Sequence, residues 1–243
     1  MTNARDLPAL RILPGLDGTT RMLDTVIAQA HAAGFDDAAA IGYPTDRVLD
    51  AHGLESFARE RLPDDRPFVL LGESFSGPIA LRIAADPPPM LRALVLSTTF
   101  AVNPVPMLRP FAPLTAFAPA PAPMPLMSWM LLGRWRTPDL ETALRHALDE
   151  ISPAVLRSRA ALALRIDARD ALPRIRVPTL YLRAMHDRLM HPSAGEAILR
   201  GITGARLHAL DGPHLLLQTR GAPCIEAIAA FVREGSIRRS AAR

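Results

Sequence analysis

The sequence contains no lysine: all 28 of its basic side chains are arginine. Against 24 acidic residues this leaves a formal charge of only +4, so an isoelectric point near 10.4 overstates the basicity. Between histidine and arginine almost nothing titrates except one cysteine, two tyrosines and the terminus. The arginines are scattered, Arg238-Arg239 being the nearest thing to a run, and aromatic residues make up only 5%. A nucleic-acid groove needs clustered positive charge with stacking rings between, so no nucleic-acid partner is expected. A lone cysteine, Cys224, excludes an intrachain disulfide and offers no zinc-ligand spacing. Phosphate-cradling glycine loops, dinucleotide fingerprints and metal-ligand clusters are missing too, which predicts no cofactor and no metal. Met1 to Leu10 carries no apolar run of signal-peptide length, which reads as a cytoplasmic protein.

Proline, by contrast, is abundant: 24 residues, about twice average usage. With 14 glycines, 49% hydrophobic and 21% charged residues, the composition is that of a folded protein rather than a disordered one. A length of 243 suits one α/β domain with an insertion. A third of the prolines fall between Pro104 and Pro125. The overlapping stretch Phe111 to Leu132 is 22 residues without a charge, long enough to cross a bilayer. Pro113, Pro119, Pro121, Pro123 and Pro125 break its backbone hydrogen bonding, which lipid does not tolerate, so no transmembrane segment is expected.

Apolar runs bounded by turn residues predict strands at Ala9–Leu13, Ala38–Gly42, Phe68–Leu71, Leu91–Leu96, Pro178–Met185 and Arg206–Leu210. Helical patterns lie between them, from Thr19 or Thr20 to Ala33, then at Leu49–Leu62, Ser74–Ala85, Ser193–Arg200 and Leu215–Glu234. Strand–helix alternation predicts an α/β protein with a mostly parallel six-stranded sheet and helices on both faces. Residues 102–176 fall outside the alternation. They carry the proline-rich stretch and three helical patterns, Leu126–Leu132, Pro138–Asp149 and Pro153–Arg169, and read as a cap inserted over the strand ends. The expected division is a core of residues 1–101 and 177–234, a cap of 102–176 and a flexible tail of 235–243.

The strongest local signal is Leu70-Leu71-Gly72-Glu73-Ser74-Phe75-Ser76-Gly77. A buried strand runs into a tight turn bearing a serine and then into a helix, the setting of a nucleophile elbow. Gly72 lets strand and helix approach, and the turn lifts the Ser74 hydroxyl to the helix N-terminus, whose free N–H groups favour an oxyanion. A serine nucleophile needs a base and the base an orienting acid, in chain order Ser, acid, His for this arrangement. Of seven histidines, His214 follows the last strand and opens the last helix. His186 and His191 lie one strand too early, and His208 lies inside a strand. Asp187 follows the preceding strand, 27 residues before His214, and is the candidate acid, with Asp211 as rival. The second oxyanion donor belongs to the loop after the first strand, Pro14-Gly15-Leu16-Asp17-Gly18, where the Leu16 N–H is the best candidate and the Phe75 N–H its partner. A carboxylate aimed at an oxyanion would oppose it, so Asp17 is expected to turn onto its own loop.

In these residues the chain resembles α/β-hydrolase-fold enzymes over nearly its whole length. The Leu-Pro-Gly-Leu-Asp-Gly loop with Gly-Glu-Ser-Phe-Ser-Gly is similar to a bacterial hydrolase branch related to plant esterase and acyltransferase proteins that make phytyl and fatty-acyl esters. Two positions depart from the wider family, Pro14-Gly15 where His-Gly is common and Ser76 where glycine is usual. The resemblance implies cleavage of a small-molecule carboxylic ester by Ser74, His214 and Asp187 through an acyl-enzyme, the apolar Pro- and Met-rich segment lining an acyl site. Two other readings stay open: transfer of the acyl group to an alcohol, and a non-catalytic ligand-binding module on the same fold.

Overall fold

Phe68 to Glu73 is apolar until its last residue, and all six residues are buried. That pattern belongs to a strand covered on both faces. In the computed structural model, which describes residues 7–103, 110 and 120–241, this segment (β3) lies inside a six-stranded sheet. The other strands are β1 (Ala9–Leu13), β2 (Ala38–Ala40), β4 (Leu91–Ser97), β5 (Thr179–Ala184) and β6 (Arg206–Leu210). Their order is β2-β1-β3-β4-β5-β6 and every neighbouring pair is parallel, the fold class expected from the alternation.

Because side chains alternate across a strand, β3 feeds two cores at once. Phe68 and Leu70 pack with Leu54, Ile79, Ile83 and Ile198, from α2 (Ala51–Arg59), α3 (Gly77–Ala85) and α7 (Pro192–Gly201). Val69 and Leu71 pack on the other face with Val26, Ile225 and Ile228, from α1 (Asp24–Ala32) and α9 (Gly221–Ala241). Each such fully buried aliphatic side chain contributes about 1.5–3 kcal/mol. The chain goes from β1 out to β2 and returns to β3 on the opposite side of β1. The loops after β1 and β3 therefore diverge, and the crevice between them is where open parallel sheets bind ligands.

Between β4 and β5 the described residues form α4 (Met124–Leu131), α5 (Pro138–Asp149) and α6 (Pro153–Arg165). Leu144, Leu148, Ile151, Val155 and Leu156 make a small core of their own, against which Leu16 and Leu215 of the main body pack. The base of the insertion is drawn together: the Ala168 N–H donates to the Ala101 carbonyl at 2.7 Å, and Val102 bridges Asp167 in antiparallel fashion. Most of the proline-rich stretch, 104–109 and 111–119, lies outside the described residues. Proline also opens helices: α3, α4, α5, α6 and α7 each carry one in their first two positions, where the missing N–H costs nothing.

Several boundaries differ from the sequence pattern. The first helix begins at Asp24, not at Thr19 or Thr20, because Thr19 gives both its N–H and its hydroxyl to Asp17 and serves the loop instead. Ser74–Ser76 forms a separate 3-10 turn before α3. The sixth helix ends at Arg165, since the chain must extend at Ile166 to reach the bridge at Asp167. The last helix is two, α8 (Leu216–Thr219) and α9, broken where Arg220 leaves helical geometry. Helix α9 then runs on to Ala241, beyond the Glu234 at which the sequence pattern ends it. Among the described residues no helix is long and apolar enough to cross a membrane.

Candidate active site

A side chain at Gly72 would put its Cβ 2.7 Å from the Ala80 Cβ, so the end of β3 can approach α3 this closely only with glycine there. The following turn holds Ser74 at φ +47°, in the left-handed region where an L-residue is strained. Two hydroxyls fix that conformation. Thr99 Oγ1 donates to the Ser74 carbonyl, and Tyr181 Oη donates to the Thr99 carbonyl at 2.9 Å. Ser76, the departure from glycine, is fully buried; its hydroxyl donates to the Pro14 carbonyl and lies 3.0 Å from Tyr43 Oη. It ties the turn after β3 to the loop after β1.

Ser74 Oγ lies 2.8 Å from His214 Nε2. His214 Nδ1 lies 2.9 Å from Asp187 Oδ2 and 3.1 Å from Oδ1. The imidazole is 2% and the carboxylate 6% exposed. Asp187 Oδ1 also accepts the N–H groups of Leu189 and Met190, each at 2.8 Å, so the turn after β5 holds the carboxylate in place. With Nδ1–H donating to Asp187, Nε2 is left to accept from the Ser74 hydroxyl. The structure thus brings Ser74, Asp187 and His214 together. Asp211 faces outward, half exposed, to Arg134 Nη2 at 2.8 Å and His186 Nε2 at 3.0 Å. His191 caps α7 by accepting the Ser193 N–H at 3.3 Å, and His208 is exposed on β6.

Leu16 lines the same crevice, and Phe75 follows Ser74 in the turn at the end of β3. Among the described residues no turn or loop carbonyl accepts from the N–H of either. Asp17 does turn onto its own loop, its carboxylate accepting the Thr19 N–H at 2.9 Å and the Thr19 hydroxyl at 2.6 Å. Burial raises its pKa, and those two bonds oppose the rise. The loop is braced from the insertion by Arg159 of α6, which is 2% exposed. Its guanidinium donates to the carbonyls of Leu16 at 3.2 Å, Asp17 at 2.7 Å and Pro44 at 2.8 Å. The sequence pattern gives Arg159 away only by its place on the buried stripe of Val155 and Leu156.

Glu73, beside the serine, is the other residue that motif reading passed over. It is 3% exposed, and its Oε1 accepts from Gln218 Nε2 at 3.0 Å. Burial pushes its pKa up to about 7, with the Asp17 charge adding to the rise, while the Gln218 bond and His214 oppose it. The crevice opens into a cavity of about 220 Å³ whose walls are largely aliphatic and thioether, with Leu16, Met22, Met127, Met130, Leu144 and Leu148 among them. Glu73, Ser74, His214 and Gln218 reach its surface. Among the described residues no three or more His, Cys, Asp or Glu side chains converge as metal ligands would.

Residues 39–215 match the family model described as serine aminopeptidase, S33. Over 191 residues the chain is 28% identical to the pimeloyl-[acyl-carrier protein] methyl ester esterase of Neisseria meningitidis serogroup C, covering 70% of this chain and 75% of that one. It is 27% identical over 158 residues to the pyrrolizixenacetamide deacetylase of Xenorhabdus hominickii, covering 61% of this chain and 59% of that one. The crystal structure of a hydrolase from Pseudomonas aeruginosa PA01 superposes with a TM-score of 0.74 at 22% identity, over 93% of this chain and 90% of the other, a likeness of fold.

Proposed function

The chain belongs to the serine aminopeptidase S33 family of α/β hydrolases, and from that premise we propose that it hydrolyses small carboxylic esters with Ser74 as nucleophile. The observation that carries the reading is the unbroken hydrogen-bonded chain from Ser74 Oγ through His214 to Asp187 at the edge of an apolar cavity. As Ser74 attacks the ester carbonyl, His214 Nε2 takes its proton, and Asp187 stabilises the imidazolium while keeping the ring in the productive tautomer. The N–H groups of Leu16 and Phe75 stabilise the oxyanion, each worth about 3 kcal/mol. His214 then gives its proton to the leaving alcohol, which departs and leaves the acyl group on Ser74. Water, deprotonated by the same imidazole, attacks this acyl-enzyme, and collapse releases the acid and free Ser74.

The aliphatic and thioether walls support an apolar acyl group, since pockets of this kind bind by apolar burial with a few placed polar groups. The reading is consistent with an ester as the substrate named for the Neisseria relative. Labelling by a fluorophosphonate tests the nucleophile: the wild type is expected to label and Ser74→Ala not to. Equal labelling of both, or of neither, overturns the assignment. A panel of p-nitrophenyl esters from acetate upward then sizes the acyl site. Repeating it with added alcohol separates hydrolysis from transfer, a new ester in the product being the mark of an acyltransferase.

A further inference from the structure

Glu73 ends β3 and immediately precedes Ser74, and Gln218 lies on α8, four residues after His214. Gln218 Nε2 donates to Glu73 Oε1 at 3.0 Å, and Glu73 is buried. Nucleophile and base are therefore joined twice. One link is direct, from Ser74 Oγ to His214 Nε2 at 2.8 Å, and the other runs through Glu73 and Gln218. The stretch between His214 and Gln218 is tightly wound: the His214 carbonyl accepts the Leu216 N–H at 2.8 Å and the Leu215 carbonyl the Thr219 N–H at 3.1 Å. A displacement of α8 is thus passed on to His214. Leu216 and Leu217 pack in the core with Val26 and Ile225, but apolar burial is non-directional. The amide–carboxylate bond adds a direction.

The two links respond differently to the reaction. The direct bond needs the serine proton, which leaves with the alcohol once the acyl group sits on Ser74 Oγ. In the acyl-enzyme His214 Nε2 must still take a proton from water, yet of its own hydrogen bonds only the Nδ1 contact with Asp187 remains. The bond between Glu73 and Gln218 involves no reacting atom and persists. We propose that Glu73 and Gln218 are positioning residues for the second half of the reaction, keeping His214 in place over Ser74 while the serine oxygen is acylated. This inference rests on the reading of Ser74 as a nucleophile that carries an acyl group. A misplacement of about 1 Å in a catalytic group can cost roughly 10²-fold in rate. The cost falls on attack by water more than on attack by Ser74, whose own hydroxyl helps to hold the imidazole.

A carbamate separates the two halves. p-Nitrophenyl dimethylcarbamate gives its carbamoyl group to Ser74 Oγ as p-nitrophenolate leaves, and water then frees Ser74 slowly enough for both steps to be timed. The release of p-nitrophenol measures the first step, and the recovery of p-nitrophenyl butyrate hydrolysis after removal of excess carbamate measures the second. Both are first-order constants of the molecules that react, so misfolded protein does not enter. Gln218→Met breaks the bond and keeps the carboxylate, Glu73→Met removes both, and Glu73→Gln removes the charge while keeping an acceptor oxygen. Gln218→Met and Glu73→Met are expected to slow recovery about tenfold or more, with carbamoylation within about threefold of the wild type. Glu73→Gln is expected to keep the ratio of the two constants within about threefold of the wild-type ratio. Equal slowing of both steps, no change in either, or a slow recovery in Glu73→Gln but not in Gln218→Met overturns the positioning role and leaves ester hydrolysis standing. A wild type that releases no p-nitrophenol from the carbamate overturns the acyl-enzyme on Ser74, and this inference with it.

Discussion

Asp187 and Asp211 each lie near a histidine, yet only one of them faces His214. The difference is local: two backbone N–H groups of the turn after β5 fix Asp187, whereas Asp211 is drawn outward by Arg134 and His186. Asp187→Asn is therefore expected to lower kcat by roughly three to four orders of magnitude, because the amide stabilises the wrong imidazole tautomer. Asp211→Asn is expected to leave turnover within about twofold. Steady-state kinetics on p-nitrophenyl butyrate checks both. Glu73 carries a prediction of stability. Its pKa is near 4.5 in the unfolded chain and about 7 when folded, so between those values the folded state holds the extra proton. Stability then falls as pH rises through that window, by about 3 kcal/mol in full, and is unaffected below it. Glu73→Gln, which cannot ionise, is expected to melt several degrees above the wild type at pH 8, with the gap closing by pH 4.5. Thermal unfolding followed by circular dichroism across that range is the measurement.

At the scale of elements, the approach of β3 to α3 rests on a single missing methyl group. Gly72→Ala places a carbon 2.7 Å from the Ala80 Cβ, with Ser76 O only 3.1 Å away, so the turn carrying Ser74 must shift. A loss of about 1–3 kcal/mol in urea unfolding, together with a fall in kcat, is expected. These elements were legible in the sequence because their signals are local. An apolar run, a glycine and a serine at fixed offsets specify strand, turn and helix without reference to anything distant. Gly72, Ser74 and the order of acid and base could be read that way. Boundaries governed by distant partners could not: α1 starts late because Asp17 claims Thr19, and α6 stops early because Val102 waits for Asp167. Glu73 and Arg159 escaped for the same reason, their partners lying 145 and up to 143 residues away in the chain.

For the whole molecule, the insertion is joined to the sheet by more than its two strands of chain. Arg159 reaches from α6 to three carbonyls of the loops after β1 and β2, the loop bearing Leu16 among them. Arg159→Met keeps the stem and removes the donors. It is expected to lower kcat on p-nitrophenyl butyrate about tenfold or more with little change in KM, since under the proposed oxyanion role of the Leu16 N–H its loosening affects the transition state rather than the bound ester. Arg159→Lys is expected to recover only part of the loss, because one ammonium cannot span the fork. Unfolding in urea would show a companion loss of about 1–3 kcal/mol.

The closed base of the insertion, with Ala101 bonded to Ala168, makes residues 102–167 look like a detachable module that could be exchanged for that of another hydrolase to change substrate range. The buried guanidinium limits such grafting. A transplanted segment that lacks an arginine at the position of Arg159 would leave the host's loop after β1 unsupported, so donor segments compatible with this scaffold are those that carry their own brace.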